Sequence, residues 1–228
     1  MSDPHLPGDP PVPLTLRRSA QAKRISLRIS QLDGRVTLTM PKRLATREAM
    51  DFARSKEAWI RKHLAARGED VAVGIGSELP LGGQMVAVQS GHGRRVEISP
   101  EAIMVPGPPE RAGKRLAAHL KELARDRLAG ASDDYADRLG RSYARITLRD
   151  TRSRWGSCTS DGGLMYSWRL IMAPPEVLDY VAAHEVAHLA EMNHSAAFWA
   201  QVTRIYGDYA APRQWLRRHG STLHRYKF

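Results

Sequence analysis

Residues 184–194 read HEVAHLAEMNH, and they constrain this chain more than any other stretch. His184 and His188 are four positions apart. On an α-helix that spacing puts them on nearly one face, about 40° apart at ~100° per residue. Two imidazoles so placed can chelate one metal ion. Glu185 falls about 100° from His184, beside such an ion rather than on it. The residues around them read as a helix that Pro174 and Pro175 open, since proline suits the first helical position. Leu178, Ala182, Val186 and Leu189 form an apolar stripe facing a core, while Glu176, Asp179, Ala183 and Ala187 suit a solvent side. Tyr180, His184 and His188 occupy a third surface that a purely structural helix does not need.

Together these residues make the HExxH motif, two histidine ligands with a glutamate placed as general base. His194 is the expected third ligand. On an unbroken helix it would point elsewhere, so the helix is expected to end near Glu191–Asn193 and the chain to turn back. Asn193 is a suitable breaker because asparagine tolerates the left-handed region. Ser195 can then cap the next helix. Glu191 is the rival ligand, but it stands only three residues past His188. Three nitrogens with one open position fit a catalytic Zn2+ site, whereas a structural site is closed by a fourth protein ligand.

Upstream, Ile25, Leu27 and Ile29, then Val36, Leu38 and Met40, alternate with polar residues and predict two strands around a turn at Asp33-Gly34. Thr46 is read as the cap of one helix running to about residue 67. Residues 71–106 carry short strand-like runs between glycine-rich turns. GIGSELPLGG lacks the GK[ST] ending of a phosphate loop and is read as a turn. A helix over about 109–130 and a second to Leu139 are expected, then a strand ARITLRD. Strands SRWGSC and LMYSWRLI follow around a tight TSDGG turn. Helices near 195–206 and 212–219 follow the histidines, and no internal repeat is legible. The pattern predicts an α+β chain. A proline-rich disordered tail (1–13) precedes a small β-rich part (14–107) and an α+β part holding the histidine helix beside a β-hairpin or small sheet (108–228).

Composition excludes some classes. No apolar run is long enough to span a membrane. The acidic, proline-rich N-terminus is no secretory signal. Cys158 is the one cysteine, so there is no internal disulfide framework, and a cytoplasmic setting is expected. The net charge is +11, spread without a Lys/Arg block, which suits a basic solvated surface or a weak nucleic-acid association. The C-terminal RQWLRRHGSTLHRYKF, basic with interleaved aromatics, would suit a phosphate contact.

RWGSC at 154–158, WRLIMAPPEVLDYVAAHEVAHL at 168–189 and EMNHSAAFW at 191–199 resemble the YgjP-like, SprT-related group of HExxH metallohydrolases over roughly residues 15–220. The metzincin pattern is ruled out, because Glu191 stands where its glycine belongs. The resemblance implies a zincin-like domain, one zinc ion on His184, His188 and His194, and Glu185 as the catalytic glutamate. It implies a metallopeptidase acting on a peptide or protein. The alternative is a nucleoside triphosphate (UTP) pyrophosphohydrolase, and a further alternative is a nucleic-acid-associated module. A second oxyanion donor is usual in such chemistry. Arg169, Tyr206, Tyr209 and Arg154 are the candidates, and the sequence leaves the choice open. The strand LMYSWRLI is expected to border the cleft. Cys158 is read as a buried structural cysteine, and Trp155, Trp168, Phe198 and Trp199 as core.

Overall fold

The computed structural model describes residues 4–30 and 33–228. The chain divides into two compact units, Met1–Glu69 and Asp70–Phe228.

In the first unit, β1 (His5–Leu6), β2 (Val12–Ser19), β3 (Ser26–Ile29) and β4 (Val36–Pro41) form a sheet in the order β1-β2-β4-β3. β2 and β4 run parallel, with Leu14 opposite Val36, and β3 is antiparallel to β4. The predicted alternation holds in β4: Val36, Leu38 and Met40 are buried. The expected single helix is two, α1 (Thr46–Ser55) and α2 (Glu57–Arg67), broken where Lys56 leaves helical dihedrals. Thr46 is the first helical residue rather than the cap. Ala45 precedes it, and its N–H donates to the Glu48 carboxylate at 3.4 Å. The expected tail is ordered over residues 4–13: Leu6 is wholly buried with Val12, Leu14 and Ile60, so its apolar side chain ties the segment to the core.

The second unit begins with β5 (Val71–Ala72), β6 (Glu78–Leu81), β7 (Gln84–Gly91), β8 (Glu97–Ile98) and β9 (Ala102–Pro106). The last four pair in the order β6-β7-β9-β8, with β7 and β9 parallel. This repeats the strand order and directions of the first unit's sheet, a repeat that no sequence period announces. The boundary expected at 107 lies instead after Glu69. Leu79, Val86, Val88, Ile103 and Val105 share one core with Leu116 and Leu120 of the following helix, so residues 71–106 cannot be separated from it. That helix is α3 (Ala112–Leu139), continuous where two were expected, and it ends at Gly140 in the left-handed region.

A three-stranded sheet follows: β10 (Arg145–Arg149), β11 (Gly156–Cys158) and β12 (Gly163–Ser167), in the order β10-β12-β11. Then come a short 3-10 turn (Trp168–Met172), α4 (Pro175–Ala187), α5 (Ala196–Tyr206) and α6 (Ala210–His219). β13 (Tyr226–Lys227) closes the unit by pairing with β5. α4 is the central helix. Ala183 and Ala187, expected at a solvent side, are wholly buried along with Val177, Ala182 and Val186. Neighbours surround α4, and alanine lets them approach, so it is apolar nearly all round. The turn after β6 clamps its start: the Gly82 and Gly83 N–H groups donate to the carbonyls of Ile171 and Met172. A side chain at 83 would strike Pro174, and the left-handed φ there also calls for glycine.

Candidate metal centre

α4 delivers His184 in its last turn and His188 at its C-cap. The helix ends earlier than its sequence suggests. Leu189 N–H bonds to Val186 and Glu191 N–H to Ala187, and the chain reverses through 188–194. Asn193 is not left-handed, since no non-glycine residue has positive φ among the described residues. Its side-chain oxygen instead accepts the Ser195 N–H at 3.0 Å, and Ser195 caps α5 by accepting from Phe198 N–H at 3.3 Å. These local bonds bring His194 back over His184. Their Nε2 atoms lie 3.0 Å apart, and the three histidines offer nitrogens that all fall within 4.8 Å of one another.

The chemistry of the donors fits a divalent ion. Imidazole nitrogens about 2.0–2.1 Å from one tetrahedral zinc sit roughly 3.3 Å apart, near the spacing of the His184–His194 pair. The His188 Nδ1 donates to the Glu191 carbonyl at 2.9 Å, which leaves its Nε2 lone pair for a ligand. Glu191, the rival ligand, thus serves through its backbone. Burial, with the neighbouring imidazoles, pushes His184 down to about 3, and burial lowers His188 as well. Both rings are therefore neutral, the form a metal needs. Phe198 stacks on His188 at 4.3 Å, and Trp199 lies 5.7 and 5.8 Å from His184 and His194. This apolar wall packs one side of the ligand cluster, while His194 stays exposed.

Glu185 sits beside the histidines, 6% exposed, and burial pushes its carboxyl up to about 8 against the pull of Arg154. Its neighbour is the backbone of β11: a Cβ on Gly156 would lie 2.5 Å from Glu185 Cγ and Oε1. Only glycine lets strand and carboxylate approach so closely. The sequence reading did not single out Gly156. Its signal was a glycine inside a strand. Cys158, on the same strand, is half-buried, and burial then Glu185 push its thiol up to about 11.

β12, expected to border the cleft, is flanked by β10 and β11 and is the middle strand. The border is β11. The antiparallel ladder pairs residues 155, 157 and 159 with β12, as the bonds Ser167 N–H to Trp155 and Thr159 N–H to Gly163 fix. Gly156 and Cys158 therefore turn their N–H and C=O away from β12, and among the described residues nothing bonds them.

The four oxyanion candidates separate. Arg169 faces elsewhere: it is buried, grips Asp150 at 2.6 and 3.0 Å, and donates to the carbonyls of Leu223 and Tyr226. The Tyr206 hydroxyl donates to the Glu176 carbonyl at 2.9 Å. Tyr209 stacks on Trp199 at 5.0 Å, and among the described residues nothing hydrogen-bonds its hydroxyl. Arg154 is exposed, and its charge acts on Glu185. The C-terminal aromatic segment is no open strip either. Leu223, His224 and Tyr226 are buried, and β13 is held in a sheet. Trp168 and Phe198 are core as expected, while Trp155 and Trp199 are partly buried against it.

The model of the YgjP-like metallopeptidase domain family matches residues 23–219. The chain belongs to this family. Membership makes it a metallopeptidase-family protein, and it implies a divalent metal and peptide or protein substrates. No curated protein matches the chain. One solved structure with similarity is the crystal structure of the metallopeptidase zymogen of Pyrococcus abyssi abylysin, 20% identical, at a TM-score of 0.36. The match covers 41% of this chain and 92% of that one. Small sheets and six helices among the described residues give a mixed α+β fold. No described helix is long and apolar enough to cross a membrane.

Proposed function

We propose that this protein is a zinc-dependent peptide hydrolase with a zincin-like HExxH centre, in which His184, His188 and His194 hold the ion and Glu185 is the general base. The observation that carries the reading is the convergence of three imidazole nitrogens beside a buried carboxylate. When bound, zinc would polarise the scissile carbonyl and lower the pKa of water at its open position. Glu185 takes a proton from the attacking water and passes it to the leaving nitrogen as the C–N bond breaks. Close packing against Gly156 restricts how far the Glu185 carboxyl can move. Arg154 and Tyr209 remain as groups able to face the developing oxyanion.

The open edge of β11 supports a peptide as substrate. An extended chain can add there as a further strand, bonding the outward groups of Gly156 and Cys158 and placing its carbonyls beside Glu185. A nucleotide substrate would call for arginines gathered at the metal, and Arg169 is engaged with Asp150 instead.

The test uses zinc-loaded protein with Glu185→Gln and His188→Ala in parallel. Glu185→Gln is expected to keep zinc and lose turnover of unstructured protein substrates, and His188→Ala to lose zinc. Release of pyrophosphate from UTP, abolished in Glu185→Gln, with no peptide cleaved, would replace this reading with the nucleotide hydrolase. Purified protein that binds no stoichiometric metal would remove both.

A further inference from the structure

We infer that a cationic groove on the outer face of the β10-β12-β11 sheet binds an acidic segment of the peptide substrate, a few residues from the bond that is cut. This rests on the peptidase reading above and names a preference within it.

Side chains alternate across a strand. Ile146 and Leu148 of β10 and Leu164 and Tyr166 of β12 turn inward to the core. Arg145, Thr147, Arg149, Met165 and Ser157 share the opposite face, in register across the three strands. That face carries a groove of about 420 Å³, whose lining includes Arg145, Arg149 and Arg154, several hydroxyls and no carboxylate. Arg145 is offset by Asp161 at 3.0 Å. Arg149 and Arg154 are exposed and have no ion pair among the described residues. Arg149, lined up with the hydroxyls of Thr147, Thr151 and Ser153, offers an anion site there.

Two observations choose the ligand class. The groove lies on the strand that abuts Glu185: Ser157 lines it, and the adjacent residue, Gly156, is the one whose Cβ would fall 2.5 Å from Glu185 Cγ and Oε1. A chain added along the open edge of β11 turns every second side chain to the outer face, the face that carries the groove, and the chain such a centre cuts is a peptide. The lining also holds no aromatic ring, so it offers no platform on which the bases of a single strand could stack.

The experiment places one scissile sequence beside Glu-Glu-Glu, Gln-Gln-Gln or Lys-Lys-Lys, on its N-terminal or C-terminal side. Cleavage by zinc-loaded wild type and Arg149→Gln is measured. Anisotropy follows binding of the same labelled peptides to zinc-loaded Glu185→Gln and to Glu185→Gln/Arg149→Gln. Exposed charge pairs lead us to expect about a fivefold advantage for Glu over Gln on one side. It should appear in KM with kcat unchanged, as uniform binding does. It should shrink in Arg149→Gln and with added salt. Equal KM for the Glu and Gln peptides, or a preference that Arg149→Gln leaves intact, would overturn the inference. So would an oligothymidylate that binds more tightly than the Glu peptide with the same dependence on Arg149. Arg149-dependent binding of the Glu peptide with no peptide cleaved would remove the peptidase reading and keep the groove's ligand class.

Discussion

Gly156→Ala tests the most specific feature of the site. The added methyl would lie 2.5 Å from Cγ and Oε1 of Glu185 and 2.7 Å from Cδ, where ordinary contact begins near 3.4 Å. The carboxyl must therefore retreat by about 1 Å or the strand must shift. Gly156 is not left-handed, so alanine meets no backbone strain there. Glu185 is only 6% exposed and cannot swing freely into water. An off-rotamer retreat costs about 0.5–1.5 kcal/mol, a modest loss of stability. The same ~1 Å at a catalytic group can cost about 100-fold in rate. We expect kcat/KM on a fluorogenic peptide to fall about 100-fold, zinc content to stay unchanged, and Tm to drop by about a few degrees. Gly130→Ala is the control. It lies within α3 with nothing within 4 Å of the new methyl, so it should add about 0.5–1 kcal/mol and leave activity unchanged. Full activity in Gly156→Ala would refute the claim that β11 sets the position of Glu185. Loss of zinc would show that the strain runs into α4 instead.

Arg169→Ala leaves Asp150 unpaired and two carbonyls without their donor, so it should cost about 3 kcal/mol or more in denaturant unfolding. Zinc content of the folded fraction should be unchanged, and a large loss of kcat without loss of stability would contradict this structural role. His224 gives a pH signature. Burial, then Arg169, lowers it to about 4, so the unfolded chain gains a proton near 6.5 that the folded chain refuses. Its contribution is intact above pH 6.5 and is lost as pH falls from 6.5 towards 4, on the order of 2 kcal/mol. His224→Phe should flatten Tm over that window, and an unchanged slope would count against it. Asp150, held below the usual carboxylate range by Arg169 despite burial, loses its contribution only at lower pH, as pH falls through that depressed value. Removing metal with a chelator should lower Tm, and zinc should restore it with a dependence on concentration. A Tm blind to zinc would argue against the three-histidine site.

Sequence alone determined what depends on neighbours within a turn or two. The i,i+4 histidines, the prolines that open α4 and the Ser195 cap are short-range patterns, and each is where it was read. The hairpin before the helix is there too, but its second strand, read through Ile171, stops at Ser167, and Trp168–Met172 form a 3-10 turn. The alternation of Val36, Leu38 and Met40 likewise gave a strand its buried face. Long-range packing decided the rest. Whether Ala183 and Ala187 meet water depends on which helices surround α4, and alanine is compatible with either answer. Arg169 and Arg154 lie on the same short segment of chain, yet one is drawn to Asp150 and the C-terminal carbonyls while the other stays at the edge of the site. The division after Glu69 follows from a core shared between residues 71–106 and α3, which no composition shift marks. The return of His194 rests on a helix that stops at His188, one turn earlier than its residues require. Gly156 shows the limit most clearly. A glycine in a strand signals a close approach, but only the folded chain shows that what approaches is Glu185, because that contact joins residues far apart in sequence.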